Sequence, residues 1–195
     1  MQPSRLIVAA LVLTLAGPLV AQVTPEYNLQ ITKQSVEKYD VLVETLDVLS
    51  GGMAAVDAAT LLERVISQDL VYSGLFRVGL LESQAESDSL QFQFAVRGTV
   101  EGPLRDAVQT GEDQATTINL DLVTYPGGQL LLSKRYRPLP SQMRITAHHF
   151  ANQAVEMLTG EPGIAMTRVV FSRGSGDRRD LWVVDYDGED LLQLT

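Results

Sequence analysis

The chain has 195 residues, 45% hydrophobic and 20% charged, with a formal net charge of −9 and no cysteine. That length supports one real core and a small appendage. An acidic surface of this kind repels nucleic acid and anionic lipid, both of which call for basic patches to neutralise phosphate; the lack of cysteine excludes a disulfide framework, a lipid-modified start and thiol chemistry.

Residues 1–21 read as a secretory signal peptide. Arg5 supplies the charged start, Leu6–Ala16 the apolar middle, and Gly17-Pro18 closes it before Leu19-Val20-Ala21. A membrane anchor needs about 20 apolar residues to cross the hydrocarbon, and this run is shorter and broken by Pro18, so cleavage with no membrane insertion afterwards is expected. Loss of this segment removes Arg5 and no acid, taking the formal charge to −10. An exported protein without disulfides then depends on its core alone.

Tyr39–Thr45 is strand-like. Asp57 is placed as the N-cap of a helix in which Ala58, Leu61, Leu62, Val65, Ile66 and Leu70 recur at helical spacing, with Gly74 as the stop. Leu75–Leu81 has strand length, Glu82–Ser89 is a polar break, and Phe92, Phe94 and Val96 alternate as in a half-buried strand. Gly98–Asp113 reads as an extended loop. Ile118, Leu120 and Leu122 alternate again, and Leu130–Leu132 resume after Tyr125-Pro-Gly-Gly128, which marks a hairpin. Pro140 and Ser141 open a second helix with Ala147, Phe150, Ala151, Ala154 and Leu158 on one side, closed by Thr159-Gly160. Thr167–Ser172, Leu181–Asp185 and Leu191–Leu194 are short strands joined by tight turns, the pattern of a meander or a propeller blade. The fold class is therefore α/β of the α+β kind: a mixed sheet packed with two amphipathic helices, followed by an incomplete blade of short antiparallel strands.

The chemically suggestive residues have plainer readings. His148 and His149 are adjacent, so on a helix they point about 100° apart, and packing with hydrogen bonding at the junction is preferred over metal binding. The carboxylates Asp185, Asp187, Glu189 and Asp190 could hold calcium, but a full EF-hand loop takes about 12 residues, and an Asp-Gly turn with solvated acids is preferred. Ser175 lies between glycines but in a polar hairpin rather than a nucleophile elbow. Gly51-Gly52 lacks the lysine or third glycine of a phosphate loop. No cofactor, metal or catalytic group is expected.

Taken together, several motifs resemble the TolB family of the Tol-Pal envelope system. Asp69-Leu-Val-Tyr-Ser73-Gly74-Leu-Phe76 looks like that family's run at the exit of the first helix. Arg144, His148, Leu158-Thr159-Gly160, Gly163, Thr167-Arg168 and Asp185-Tyr-Asp187-Gly188 look like its second helix and the crossing into its β-propeller. Departures are the missing proline and aromatic in Tyr39–Thr45, Asn152 in place of aspartate, Ala165 in place of phenylalanine, and most of the propeller.

The resemblance implies a division into signal peptide 1–21, amino-terminal α/β domain 22–164 and first propeller strands 165–195. It also implies a non-enzymatic periplasmic module that links inner- and outer-membrane components for envelope integrity and cell division. A TolA-like partner would be met by the amino-terminal stretch Gln22, Val23, Thr24, Pro25, Glu26, Tyr27, Asn28, Leu29 and Gln30, acting as an added edge strand. The plainer reading is that Leu29 and Ile31 form the first strand of the chain's own sheet and that the tail before them is inert. A Pal-like contact would need the propeller. Arg144, His148, Thr159, Gly160, Thr167 and Arg168 are the junction residues. The alternatives are a truncated product without its main partner, or an envelope ligand-binding domain.

Overall fold

The computed structural model describes residues 38–80, 91–103, 115–175 and 178–195. The expected signal segment 1–21, the stretch Gln22–Gln30 and most of both polar breaks lie outside the described residues. All described residues fall within one compact unit.

In chain order the elements are β1 (Tyr39–Val43), β2 (Asp47–Ser50), α1 (Gly52–Tyr72), β3 (Phe76–Leu80), β4 (Phe94–Glu101), β5 (Thr117–Thr124) and β6 (Leu130–Tyr136). A 3-10 turn at Pro140–Gln142 leads into α2 (Met143–Thr159), followed by β7 (Arg168–Ser175), β8 (Arg178–Asp185) and β9 (Leu192–Gln193). The first six strands form one mixed sheet in the order β3-β1-β4-β5-β6, with β2 also on β4. β1 runs parallel to β3 and β4, while β4, β5 and β6 are antiparallel in sequence. β1 and β2 share one edge of β4, at Phe94–Val96 and Thr99–Glu101, because β5 occupies the other edge along its whole length.

Both helices cover one face of this sheet. From α1 come Ala55, Ala58, Ala59, Leu62, Val65, Ile66 and Leu70, from α2 Met143, Ala147, Phe150, Ala154 and Val155, and from the sheet Val41, Val43, Val96, Val100, Ile118, Leu120 and Leu122. The two helices pack against each other as well as on the sheet, and Leu62, Ile66 and Phe150 are among the largest helix side chains fully shielded in this layer, beside the small Ala55, Ala59, Ala147 and Ala154. Leu42, Ala95 and Val123 alternate with these residues along their strands and form a separate buried group on the opposite face, with Phe92 against it.

Two sequence expectations are corrected. α1 begins at Gly52, five residues before the expected cap, and Asp57 is an exposed side chain within it. Met53, Ala54 and Ala55 are good helix formers, and the small Ala55 is buried without leaving an apolar signal in the sequence. Gly98–Glu101 belongs to β4 rather than to a loop. Gly98 is there because the strand runs hard against its neighbour: a Cβ at this position would collide with the carbonyl oxygen of Asn119. The expected hairpin is present as β5–β6, with a cis peptide at Tyr125–Pro126 and Gly128 at φ +69°.

β7, β8 and β9 make a separate three-stranded antiparallel sheet that does not close on itself. Much of its apolar surface stays wet: Val170 is 60% exposed and Leu192 58%, while Phe171, Trp182, Val183 and Val184 are partly covered.

Candidate functional site

The polar chemistry of the described chain gathers where α2 meets the turn after β8. Arg144 and His148 sit one helical turn apart and so share a face. Opposite them, the chain reverses at Asp185-Tyr186-Asp187-Gly188. There the Gly188 amide donates to the Asp185 carbonyl at 2.9 Å, and the Asp185 amide donates to the Glu189 carbonyl at 2.9 Å. This turn aims Asp187 back at the helix.

Arg144 grips it from two sides. Its Nη2 donates to Asp187 Oδ1 at 2.6 Å and its Nε to Asp187 Oδ2 at 3.0 Å, a fork on one carboxylate. The guanidinium also reaches Asp185 Oδ2 at 3.1 Å and Asp190 Oδ2 at 2.9 Å. Exposure decides which of these matters. The Asp187 side chain is 6% exposed and Asp190 74%. The pair with Asp190 is therefore worth little against solvent screening, while breaking the pair with Asp187 would strand a buried charge. Arg168 adds a contact of 3.0 Å from Nε to Asp185 Oδ1, with its own side chain largely in solvent.

His148 extends the network inward. Its Nδ1 lies 2.7 Å from Asp69 Oδ2 on α1, and its Nε2 stands 3.4 Å from Asp187 Oδ2, a distance too long for a good hydrogen bond. The imidazole thus stands between one carboxylate of the α/β domain and one of the second sheet. Burial pushes the Asp69 carboxyl above its ordinary range, and the His148 hydrogen bond acts against that. Burial acts the same way on Asp187, but the Arg144 hydrogen bonds, the Glu189 backbone amide and the nearby charges of Arg144 and His148 outweigh it and hold its carboxyl below the usual value. Arg144 is raised, first by the hydrogen bond to Asp187. Beside the network Tyr72 and Tyr186 pack edge to face at 5.9 Å.

Arg144, His148, Thr167 and Arg168 line one recess of about 380 Å³ together with Asp185 and Asp190. Thr159 and Gly160 are not part of it. They end α2, where the Gly160 amide donates to the Glu156 carbonyl and glycine takes φ +77°, and Thr159 Oγ1 donates to the Val155 carbonyl at 2.8 Å. Thr167 extends the β7–β8 ladder by one rung, its carbonyl accepting from the Tyr186 amide at 3.1 Å. Asn152 fixes the connection between α2 and β7: its Oδ1 accepts from the Ala165 amide at 2.8 Å, and its side chain lies so close to Gly163 that a Cβ there would collide with it. Of the turn acids expected to be solvated, Glu189 and Asp190 are exposed, while Arg144 draws Asp187 into the junction. Among the described residues, no group of His, Asp and Glu is arranged to hold a metal ion.

Asp69 was missed as a site residue. A lone acid between Ile66 and Leu70 on a buried helix stripe was the signal available.

No family model matches the chain. It is 28% identical over 191 residues to the protein TolB homolog of Chlorobium chlorochromatii, covering 94% of this chain and 42% of that one. With the Tol-Pal system protein TolB of a Ruegeria species it shares 30% identity over 188 residues, covering 92% and 42%. The crystal structure of TolB from Acinetobacter baumannii matches with a TM-score of 0.58 at 17% identity, over 80% of this chain and 38% of that one, which establishes a shared fold. The chain spans about two fifths of the length of these curated relatives.

Proposed function

We propose that this chain, TolB-like over the part of TolB that it covers, is a non-enzymatic periplasmic interaction module of a Tol-Pal-type envelope system. In this reading it acts by protein contact. The amino-terminal stretch Gln22–Gln30 docks as an added strand on a TolA-like partner, and Arg144, His148, Thr167 and Arg168 couple the α/β domain to the β-rich unit after it. A Pal-like contact depends on propeller blades beyond the three strands described.

The junction carries this reading. Arg144, His148, Asp69 and Asp187 are committed to one another across two layers, which suits a part that holds two bodies in a set relation. The similarity to TolB across nearly the whole chain supports the same conclusion.

The test is capture by an immobilised TolA carboxy-terminal domain of the full chain and of a variant lacking residues 22–33. Capture by the full chain and loss in the variant is expected. Equal capture of both removes the docking role of the terminus, and capture of neither removes the Tol-Pal assignment.

A further inference from the structure

The chain is acidic overall, yet residues 122–155 contain Lys134, Arg135, Arg137 and Arg144 and not one aspartate or glutamate. Arg144 is committed to the junction. The other three lie on β6 and immediately after it. β6 is the last strand of its sheet and, among the described residues, pairs with β5 alone. An antiparallel strand bonded on one side presents a row of backbone N–H and C=O groups on the other. Lys134 pairs across to Leu120 and Arg135 to Asn119, so the two cations stand on opposite faces of the same edge. Beyond the end of β6 opens a shallow groove of about 420 Å³, with Tyr136, Pro138, Ile145 and Met166 in its lining. Ile145 is 53% exposed and Met166 49%.

Charges on an edge strand also serve to keep copies of that edge from pairing, since like charges would face one another. That role explains Lys134 and Arg135 alone. It accounts neither for an acid-free stretch in a chain of net charge −9 nor for an apolar groove at the strand's end. The repulsion that excludes a second copy attracts a strand of opposite sign.

We infer that the edge of β6 left unpaired among the described residues is a docking site for an acidic, extended segment of another protein, which adds as a strand beside Leu130–Tyr136 and places an apolar residue in the groove by Ile145 and Met166. Backbone hydrogen bonds supply the strand pairing, and Lys134 and Arg135 select the charge. This surface is separate from the amino-terminal docking proposed above, so either can fail alone.

The experiment uses the full chain and a labelled twelve-residue peptide of alternating Asp and Val, with Asp-Pro and Lys-Val peptides of equal length as controls, read by fluorescence anisotropy. The Asp-Val peptide is expected to bind at least about tenfold tighter than either control, because proline removes every second amide donor of Asp-Pro and fixes its backbone off the geometry of a paired strand, and Lys-Val carries the wrong sign. The double variant Lys134→Glu/Arg135→Glu should weaken binding by about tenfold or more while its circular dichroism stays that of the parent. Hydrogen exchange should slow in residues 130–136 on peptide addition. Equal binding of Asp-Val and Asp-Pro overturns the proposal, as adhesion by charge alone. Binding that survives the double variant, or that appears only after residues 22–33 are deleted, overturns it too; the last result would show that this chain's own segment fills the edge.

Discussion

The α/β layer and the three-stranded sheet are held by different physics. In the first, Leu62, Ile66, Phe150, Ile118, Leu120 and Leu122 are fully shielded from water, and two helices and a sheet bury one continuous core. In the second, Val169, Val170, Leu181, Leu192 and Leu194 remain about half exposed, and attachment runs through Arg144, His148 and the Asp187 turn, with the Tyr72–Tyr186 ring pair beside them. A hydrophobic core is additive and tolerant of position, while an ionic junction is directional and concentrated in a few groups. The first region therefore resists single changes in proportion to the volume removed. The second depends on a few groups gathered around one guanidinium.

Truncating the core should cost the most. Phe150→Ala removes a fully buried ring between helix and sheet, and about 3–5 kcal/mol of stability should go with it, read as an earlier urea midpoint for the whole unit. A loss under about 1 kcal/mol would mean that the layer collapses around the gap and is less tightly packed than its burial indicates.

Arg144→Ala comes next. It strands the carboxylate of Asp187, at a cost of about 3 kcal/mol, and the loss should be local. Hydrogen exchange in β7 and β8 should rise while β1, β4 and β5 keep their protection. If β7 and β8 keep parental protection, the junction is not what retains the second sheet.

The same pair sets a pH dependence. Asp187 has a folded value below its ordinary 3.8, so it stabilises the folded state above 3.8 and loses that contribution as pH falls through the folded value. Asp187→Asn should be less stable than the parent at neutral pH, with the gap narrowing below pH 3.8; a gap that stays constant to pH 2 would show that its charge is not involved. Asp69 runs the other way. Its raised value favours the folded state below 3.8, and that contribution is lost as pH rises through the folded value, so it offsets part of the acid sensitivity.

The smallest effect belongs to the open sheet. Val170→Thr, at a side chain 60% exposed, should change stability by under about 0.5 kcal/mol. A larger loss would show that this face is covered.

Much of the first region could be read without coordinates. The α1 stripe from Ala58 to Leu70 and the α2 stripe from Ala147 to Ala154 appear as written, and the Pro-Gly-Gly connection does turn β5 into β6. The start of α1 was misplaced because alanine and glycine carry little periodic signal. Gly98 suggested a loop because glycine marks turns far more often than close strand contact. At the junction, Arg144 and His148 stood out in the sequence, but Asp187 read as a solvated turn acid and Asp69 only as part of the run that resembles the TolB family.

Residue order alone determined the elements whose pattern is local: two amphipathic helices, a hairpin, and short strands after Gly163. Such features depend on neighbours within a few positions, and those neighbours are visible in the chain. Only the folded arrangement decided that β1 lies between β3 and β4, that β6 ends the sheet among the described residues, and that His148 meets Asp69 across 79 positions of sequence. Contacts of that range are chosen by packing the whole core at once, and no local run of residues records which distant partner wins.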